Sequence, residues 1–406
     1  MDNSIIENKT SIQTNNFYNT TTFSFTRLLK LCFKTLLIFF YIYEFNLSVW
    51  GLPSFVTSRR IVVVVFVAIF IFKFLTKNEK IRIYHDFFHK KVNSLLLILF
   101  IFLCYVGFLL LTIGFGEGDT IVPDIIKLIL FGVLPLSFLP SVFSSTEEFI
   151  KAILLATIAQ AIIIILCQFV PTFCNFIDIN FSTDYEYVIT HRSTYAGGLA
   201  CITAPGFFRF SMGLFACVYF ICKSKKISYF IIYMILSFIG TMIARTGLII
   251  AAIGMLLILF YSLTRGGYSA LIKMVISSII IIVLAVVLLN NPNIQAYLGR
   301  TFIRLINLFN NGIKKEFIDG YFGDASGNVF PKLSEKTFFG TGMTYGYSGN
   351  GVLCIVDGGY LRLFFAFGLI GVIIFYLFLI CSMLKMSRKF KKNKSYSPND
   401  ALKELI

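Results

Sequence analysis

Apolar stretches of membrane-spanning length follow one another along almost this entire chain, and that feature decides most of what it can become. A run of about 18 or more apolar residues, wound as a helix, crosses roughly 30 Å of hydrocarbon. Helices suit lipid because they satisfy their own backbone hydrogen bonds where no water is available. A transmembrane β-barrel would instead show alternating segments of about ten residues, and none is seen. Composition argues against a soluble fold: 57% of the 406 residues are hydrophobic and 14% charged, with a mean hydropathy of +0.82, too little charge to coat a water-facing surface. The expectation is an all-α, polytopic transmembrane helical bundle of about ten spans.

The spans are predicted near residues 29–48, 58–76, 93–113, 121–143, 148–170, 203–222, 227–243, 247–264, 270–290 and 358–384. Lys73, Lys77, Lys80, Arg82, Lys90 and Lys91 cluster between the second and third. Lys223, Lys225 and Lys226 lie between the sixth and seventh, and Lys385, Arg388, Lys389, Lys391, Lys392 and Lys394 follow the last. Basic flanks mark the cytoplasmic side, so the three clusters agree only if the span number is even and both termini are cytoplasmic. Residues 1–28 then form a polar cytoplasmic tail without a cleavable signal peptide, 29–384 the transmembrane domain, and 385–406 a basic cytoplasmic tail. The acidic turn Gly116-Glu117-Gly118-Asp119 falls outside, as do Arg59 and Arg60, the exception to the charge rule.

The net charge of +16 sits in these short flanks, which points to a lipid bilayer and not to nucleic acid. Cys32, Cys104, Cys167, Cys217, Cys222 and Cys381 lie inside apolar runs, without metal-ligand or disulfide-framework spacing. Cys174 and Cys354 fall in predicted outer segments, as two isolated thiols or, alternatively, a pair.

Two connections are long, roughly 171–202 and 291–357, and both fall on the outer, extracytoplasmic face. Extended loops call for a functional explanation where short ones would join the helices. The second includes the run from Gly340 to Gly351, polar and aromatic without charge, as carbohydrate-binding surfaces often are. A loop without a ligand is the alternative. Tyr195, Tyr345 and Tyr360 are the candidate glycan-binding residues.

Ionisable groups near membrane depth are costly and usually face a protein interior or a wet cavity. His191-Arg192 lies just before Tyr195-Ala196-Gly197-Gly198, and Arg209 a few residues into the sixth span. Ala244-Arg245-Thr246-Gly247 is the outer turn between the seventh and eighth, and Asp357-Gly358-Gly359-Tyr360-Leu361-Arg362 opens the last. Each has a plainer reading. Arg245 can snorkel beside a glycine kept for its backbone freedom, Asp357 can cap a helix, His191 can be an ordinary loop histidine, and Arg209 can snorkel or pair with another helix.

All of these groups project toward one side of the membrane. Arginine forks match phosphate oxygens in pairs, so Arg192, Arg245 and Arg209 suit a pyrophosphate-binding site. Asp357 or His191 would accept a proton from an attacking sugar hydroxyl. No metal-ligating set stands out, so the leaving group's charge falls to arginine. With no Walker-type glycine loop, an activated lipid-linked donor would supply the driving force. Glu44, Asp124 and Lys127 leave room for a transport pathway instead.

These features resemble the O-antigen polymerase (Wzy-type) group of the O-antigen polymerase/ligase family, over roughly residues 90–385. The resemblance rests on Ala244-Arg245-Thr246-Gly247-Leu248, on the large outer loop with Phe338-Phe339-Gly340-Thr341-Gly342, and on Asp357-Gly358-Gly359-Tyr360 followed by Gly368-Leu369-Ile370-Gly371. The related ligases begin this last stretch with a histidine, where this chain has Asp357, which favours polymerase over ligase. The resemblance implies a GT-C-like, metal-independent glycosyltransferase of the bacterial inner membrane, without cofactor. It would pass a glycan from one undecaprenyl pyrophosphate carrier to the sugar of another lipid-linked oligosaccharide, with a chain-length regulator as protein partner.

Overall fold

The computed structural model describes residues 25–47, 50–53, 56–76, 97, 99–112, 121–181, 199, 204–224, 226–243, 246–264, five positions between 272 and 279, 338–342, 346–347, 353–354 and 366–377. Most of the two predicted tails, the ninth span and the second outer loop lies outside these residues.

Helices follow the predicted spans. They are α1 (Phe25–Ile42), α2 (Ser58–Leu75), α3 (Leu99–Thr112), α4 (Val122–Leu128), a π-helical turn (Ile129–Val133), α5 (Leu134–Val142), α6 (Thr146–Phe169), α7 (Pro171–Phe181), α8 (Ala204–Ser224), α9 (Ile227–Ile243), α10 (Thr246–Thr264) and α11 (Ala366–Leu377). β-Pairing among the described residues is confined to a short antiparallel pair, Gly346–Tyr347 with Leu353–Cys354, and a bridge between Asn46 and Thr57. The class is all-α. One described helix, α6, is both long and apolar enough to cross a membrane, with 24 residues and a mean hydropathy of 2.5; α3, α9, α11 and Ile250–Leu263 within α10 are apolar but shorter.

The α6 helix is the axis of the larger core. Ser145 caps it, its hydroxyl accepting the Glu148 amide at 3.2 Å, and Glu147 and Glu148 sit where the helix dipole favours negative charge. It stops at Val170, which is extended because Pro171 follows and disfavours helical backbone before it. Lys34 meets Glu148 and Tyr43 meets Thr157 at the same offset of 114 residues, so α1 runs parallel to α6. Lys223 pairs with Glu147 while Gly213 packs on Thr157, so α8 runs antiparallel. A Cβ at Gly213 would lie 2.4 Å from the Thr157 side chain, so only glycine permits this approach.

The same reading orders the neighbours. α1 and α2 form an antiparallel hairpin in which Ser58 donates its amide to the Phe45 carbonyl and accepts the Phe45 amide on Oγ, each at 3.1 Å. α2 runs parallel to the α4–α5 composite: Arg60 lies over Phe131, Phe70 packs on Phe138, and the Lys73 ammonium donates to the Ser141 carbonyl. α9 and α10 are antiparallel, with the Tyr233 hydroxyl donating to the Ala251 carbonyl at 2.6 Å.

A smaller core joins α3, α4, α11 and the segment Phe338–Gly342, through Phe102, Val106, Leu110, Ile121, Ile125, Ala366 and Phe367. Gly340 and Gly368 cross here. Both have positive φ, 89° and 66°, and a Cβ on either would come within 2.5 Å of the other's backbone nitrogen. Both conditions require glycine. Gly342 then donates its amide to the Ala366 carbonyl and accepts the Ile121 amide on its own, both at 3.0 Å, and the Tyr105 hydroxyl donates to the Phe339 carbonyl.

Several expectations change. The first predicted span reached residue 48, but α1 ends at Ile42 and the chain turns back toward Thr57. The stretch 171–202 opens with a helix, α7, and Leu199 near its end is buried in the core, so neither part is an exposed loop. Gly247 has no positive φ; its role is contact, because a Cβ there would meet the Gly240 carbonyl oxygen at 2.3 Å. Gly340 and Gly342, at the start of the Gly340–Gly351 run, are buried in packing, and most of the rest of that run lies outside the described residues. Cys174, by contrast, is as expected a free thiol, buried and not paired with Cys354.

Candidate functional site: an arginine–glutamate cluster

Level along the bundle can be read from Thr157, the waist where α1, α6 and α8 meet through Tyr43 and Gly213. Toward one end lie Lys34, Lys73, Glu147, Glu148 and Lys223. Toward the other lie Glu44, one residue beyond Tyr43, and Arg209, one helical turn beyond Gly213. These two meet, and Arg59 joins them from the start of α2.

Glu44 is the hub. Its Oε1 accepts the Thr57 hydroxyl at 2.7 Å, and its Oε2 lies 2.9 Å from the Arg59 guanidinium and 3.9 Å from that of Arg209. Arg59 is fixed further: its Nε donates to the Tyr41 carbonyl at 3.0 Å and its guanidinium lies 5.9 Å from the Tyr41 ring centre. The Arg209 contact exceeds hydrogen-bond distance and acts through charge alone. All three side chains are partly open to solvent, between 20 and 28%. Two guanidinium groups thus lie around one carboxylate, and a guanidinium is the side chain whose fork of donors matches phosphate oxygens.

Pro135 shapes the neighbouring wall. It offers no amide to the carbonyl of Phe131, four residues earlier, where a regular helix would place a hydrogen bond. The backbone widens into the π-helical turn just before it, and the Tyr41 hydroxyl donates to the Phe131 carbonyl at 2.6 Å. Tyr41 thus ties the helix carrying Arg60's ring contact to the hairpin carrying Arg59.

One turn outward from Thr157, Gln160 is fully buried and its amide nitrogen donates to the Leu199 carbonyl at 2.7 Å. Its amide oxygen is a buried acceptor without a partner. Leu199 therefore lies inside the bundle near the level of Arg209, about 13 Å short of the Phe169 end of α6. Beyond it, α7 buries Asp178 beside Cys174 and Ile177, and burial pushes the Asp178 carboxyl up to about 6. Trp50, Phe45 and Phe176 gather around Phe181 at the same end.

Of the sequence-predicted site residues, Arg209 lies within the described residues, 3.9 Å from Glu44, which follows the end of α1. His191, Arg192, Tyr195, Arg245, Tyr345, Asp357 and Tyr360 lie outside them. The connection that carries Arg245 is two residues long, between Ile243 and Thr246. Sequence reasoning noticed Glu44 and Arg59 as separate exceptions and did not join them. The available signal was opposite charge at the facing ends of adjacent predicted spans. Comparison of the chain with protein families, curated proteins and solved structures finds no match.

Proposed function

We propose that this chain is a multi-pass inner-membrane glycosyltransferase that polymerises lipid-linked oligosaccharide repeat units, as O-antigen polymerases do. The chain would cross the membrane about ten times in a GT-C-like arrangement with both termini cytoplasmic. Its arginine end would face outward, and the glycan would pass from one undecaprenyl pyrophosphate carrier to the sugar of another. The observation that supports this most directly is the convergence of Arg59 and Arg209 on Glu44, inside one end of the bundle. Guanidinium groups there suit a diphosphate leaving group without a metal. Arg192 and Arg245 would complete the cradle, Asp357 or His191 would take the proton, Tyr195, Tyr345 and Tyr360 would hold sugar, and a chain-length regulator would bind alongside.

Deleting the gene in its native host and running the surface glycan on a gel tests this: single-repeat glycan should replace the ladder. Arg192→Ala and Arg245→Ala should each do the same at near-normal protein abundance, with lysine a poor rescue because a point charge cannot reproduce the fork. Asp357→Asn separates a proton acceptor, which it disables, from a helix cap, which it spares. A ligase would need a separate acceptor such as lipid A core, whereas a polymerase makes ladders from lipid-linked repeats alone.

A flippase or transporter is the second reading. The position of the Glu44–Arg209 contact, partly covered between helices, favours it, since transporters place ionisable groups within the membrane. Ladder synthesis by the purified protein would exclude transport as the sole activity.

A further inference from the structure

We propose that Tyr41 is a positioning residue: it presets the Arg59 guanidinium to receive a phosphate group of a polyprenyl diphosphate-linked molecule. The proposal deepens the polymerase reading and takes the identity of the ligand from it.

Tyr41 reaches Arg59 twice. Its carbonyl accepts the Arg59 Nε–H at 3.0 Å, and its ring centre lies 5.9 Å from the guanidinium. The ring is itself held from two sides. Its hydroxyl donates to the Phe131 carbonyl at 2.6 Å, and its centre lies 5.9 Å from that of the fully buried Phe66 ring. The Phe131 carbonyl can serve a tyrosine because Pro135, buried four residues on, brings no amide to it. An interruption in the α4–α5 composite thus fixes an arginine on α2.

The manner of holding leaves the fork usable. A guanidinium carries five N–H donors. The Tyr41 carbonyl takes the one on Nε, and the Glu44 carboxylate lies 2.9 Å from Nη1. Nη2 has no hydrogen-bond partner among the described residues, and 22% of the side chain is open to solvent. Phosphate oxygens can meet that edge through two parallel hydrogen bonds. An arginine already fixed gives up little rotamer freedom when the ligand arrives, which is how preorganisation strengthens binding.

The test uses the full chain in phosphatidylcholine nanodiscs, with farnesyl diphosphate as the probe and inorganic diphosphate and phosphatidylglycerol as competitors. Tyr41→Phe keeps the ring and the carbonyl and removes only the hydroxyl; it should weaken farnesyl diphosphate about fivefold. Arg59→Ala should weaken it about tenfold or more. The deciding variant combines the two: with Arg59 already gone, Tyr41→Phe should weaken binding no further, because its action runs through Arg59. If the alanine variant fails to fold, Arg59→Lys, which keeps the charge but has no Nε, supplies the same background. A tyrosine with a merely structural role would show the same loss in both backgrounds.

Equal loss with and without Arg59 overturns the proposal, as does wild-type affinity in Tyr41→Phe or binding indifferent to Arg59. Competition by phosphatidylglycerol or by inorganic diphosphate as strong as that of the farnesyl ester itself overturns the lipid-carrier ligand. Loss through Tyr41 that depends on Arg59, together with a normal ladder in the deletion strain, would retire the polymerase reading and leave the positioning role standing.

Discussion

The two ends of the bundle use opposite charges in different ratios. At the lysine end two lysines have a carboxylate each, Lys34 at 2.7 Å from Glu148 and Lys223 beside Glu147, while Lys73 donates to the Ser141 carbonyl. At the other end two arginines share Glu44 and a third, Arg60, lies over the Phe131 ring 5.2 Å away. A carboxylate given to each of two lysines fastens helices together. One carboxylate set between two arginines instead draws three separate segments, those of Glu44, Arg59 and Arg209, to one point. Residue type follows the same division, since lysine is a compact point charge and arginine a planar fork of donors.

The comparison breaks most visibly if the ends respond alike to truncation. Arg209→Ala should lower polymer yield by about a hundredfold in a ladder assay, as loss of a leaving-group contact would, whereas Lys223→Ala should leave the ladder unchanged. Gly213→Val attacks the waist that keeps both ends in register. Its branched side chain cannot share space with Thr157, so overpacking should cost about 3 kcal/mol and lower the apparent unfolding midpoint in detergent.

Removing Lys34 with methionine should cost about 1 kcal/mol and leave diphosphate binding alone, since Lys34 and Glu148 are only partly exposed. Thermal unfolding of the lysine-end variants should therefore shift less than that of Gly213→Val.

The smallest effect expected is a pH signature at the arginine end. The Asp178 carboxyl titrates at about 6 in the folded chain, above its ordinary 3.8, because burial disfavours its charge. The folded state then holds the proton more firmly than the unfolded one, so this group favours folding below about pH 4. That contribution is lost as pH rises through 6. Asp178→Asn removes the ionisation and should stabilise the chain by about 1 kcal/mol at pH 7, flattening the dependence between pH 4 and 6. An unchanged slope would remove Asp178 as its source.

Much of the helical order was legible in the residues. Length and apolarity place α2, α6 and α9 within a few residues of where they lie, because a helix needs only local hydrogen bonds and a run of apolar side chains. Pro171 marks the end of α6 in advance for an equally local reason. The opening of α7 from that same proline was missed: Asn175 and Asp178 make the segment polar enough to pass for loop, although Cys174 and Ile177 bury one face of it. Of the candidate site, Arg209 was found because arginine in an apolar run is conspicuous. Glu44 as its partner was not found, since nothing in either neighbourhood points to the other.

By itself, then, the sequence determined that the chain is helical, where most of the described helices begin and end, and which stretches are basic. Each depends on neighbours along the chain. Only the tertiary structure decided which charges share a carboxylate, that Leu199 returns to Gln160, and that Gly340 and Gly368 exist for one another. Those outcomes follow from register between helices, and register is set where a glycine lets a neighbouring helix come close. Gly213 against Thr157 and Gly247 against Gly240 are such contacts, and their partners are chosen in space, not in sequence.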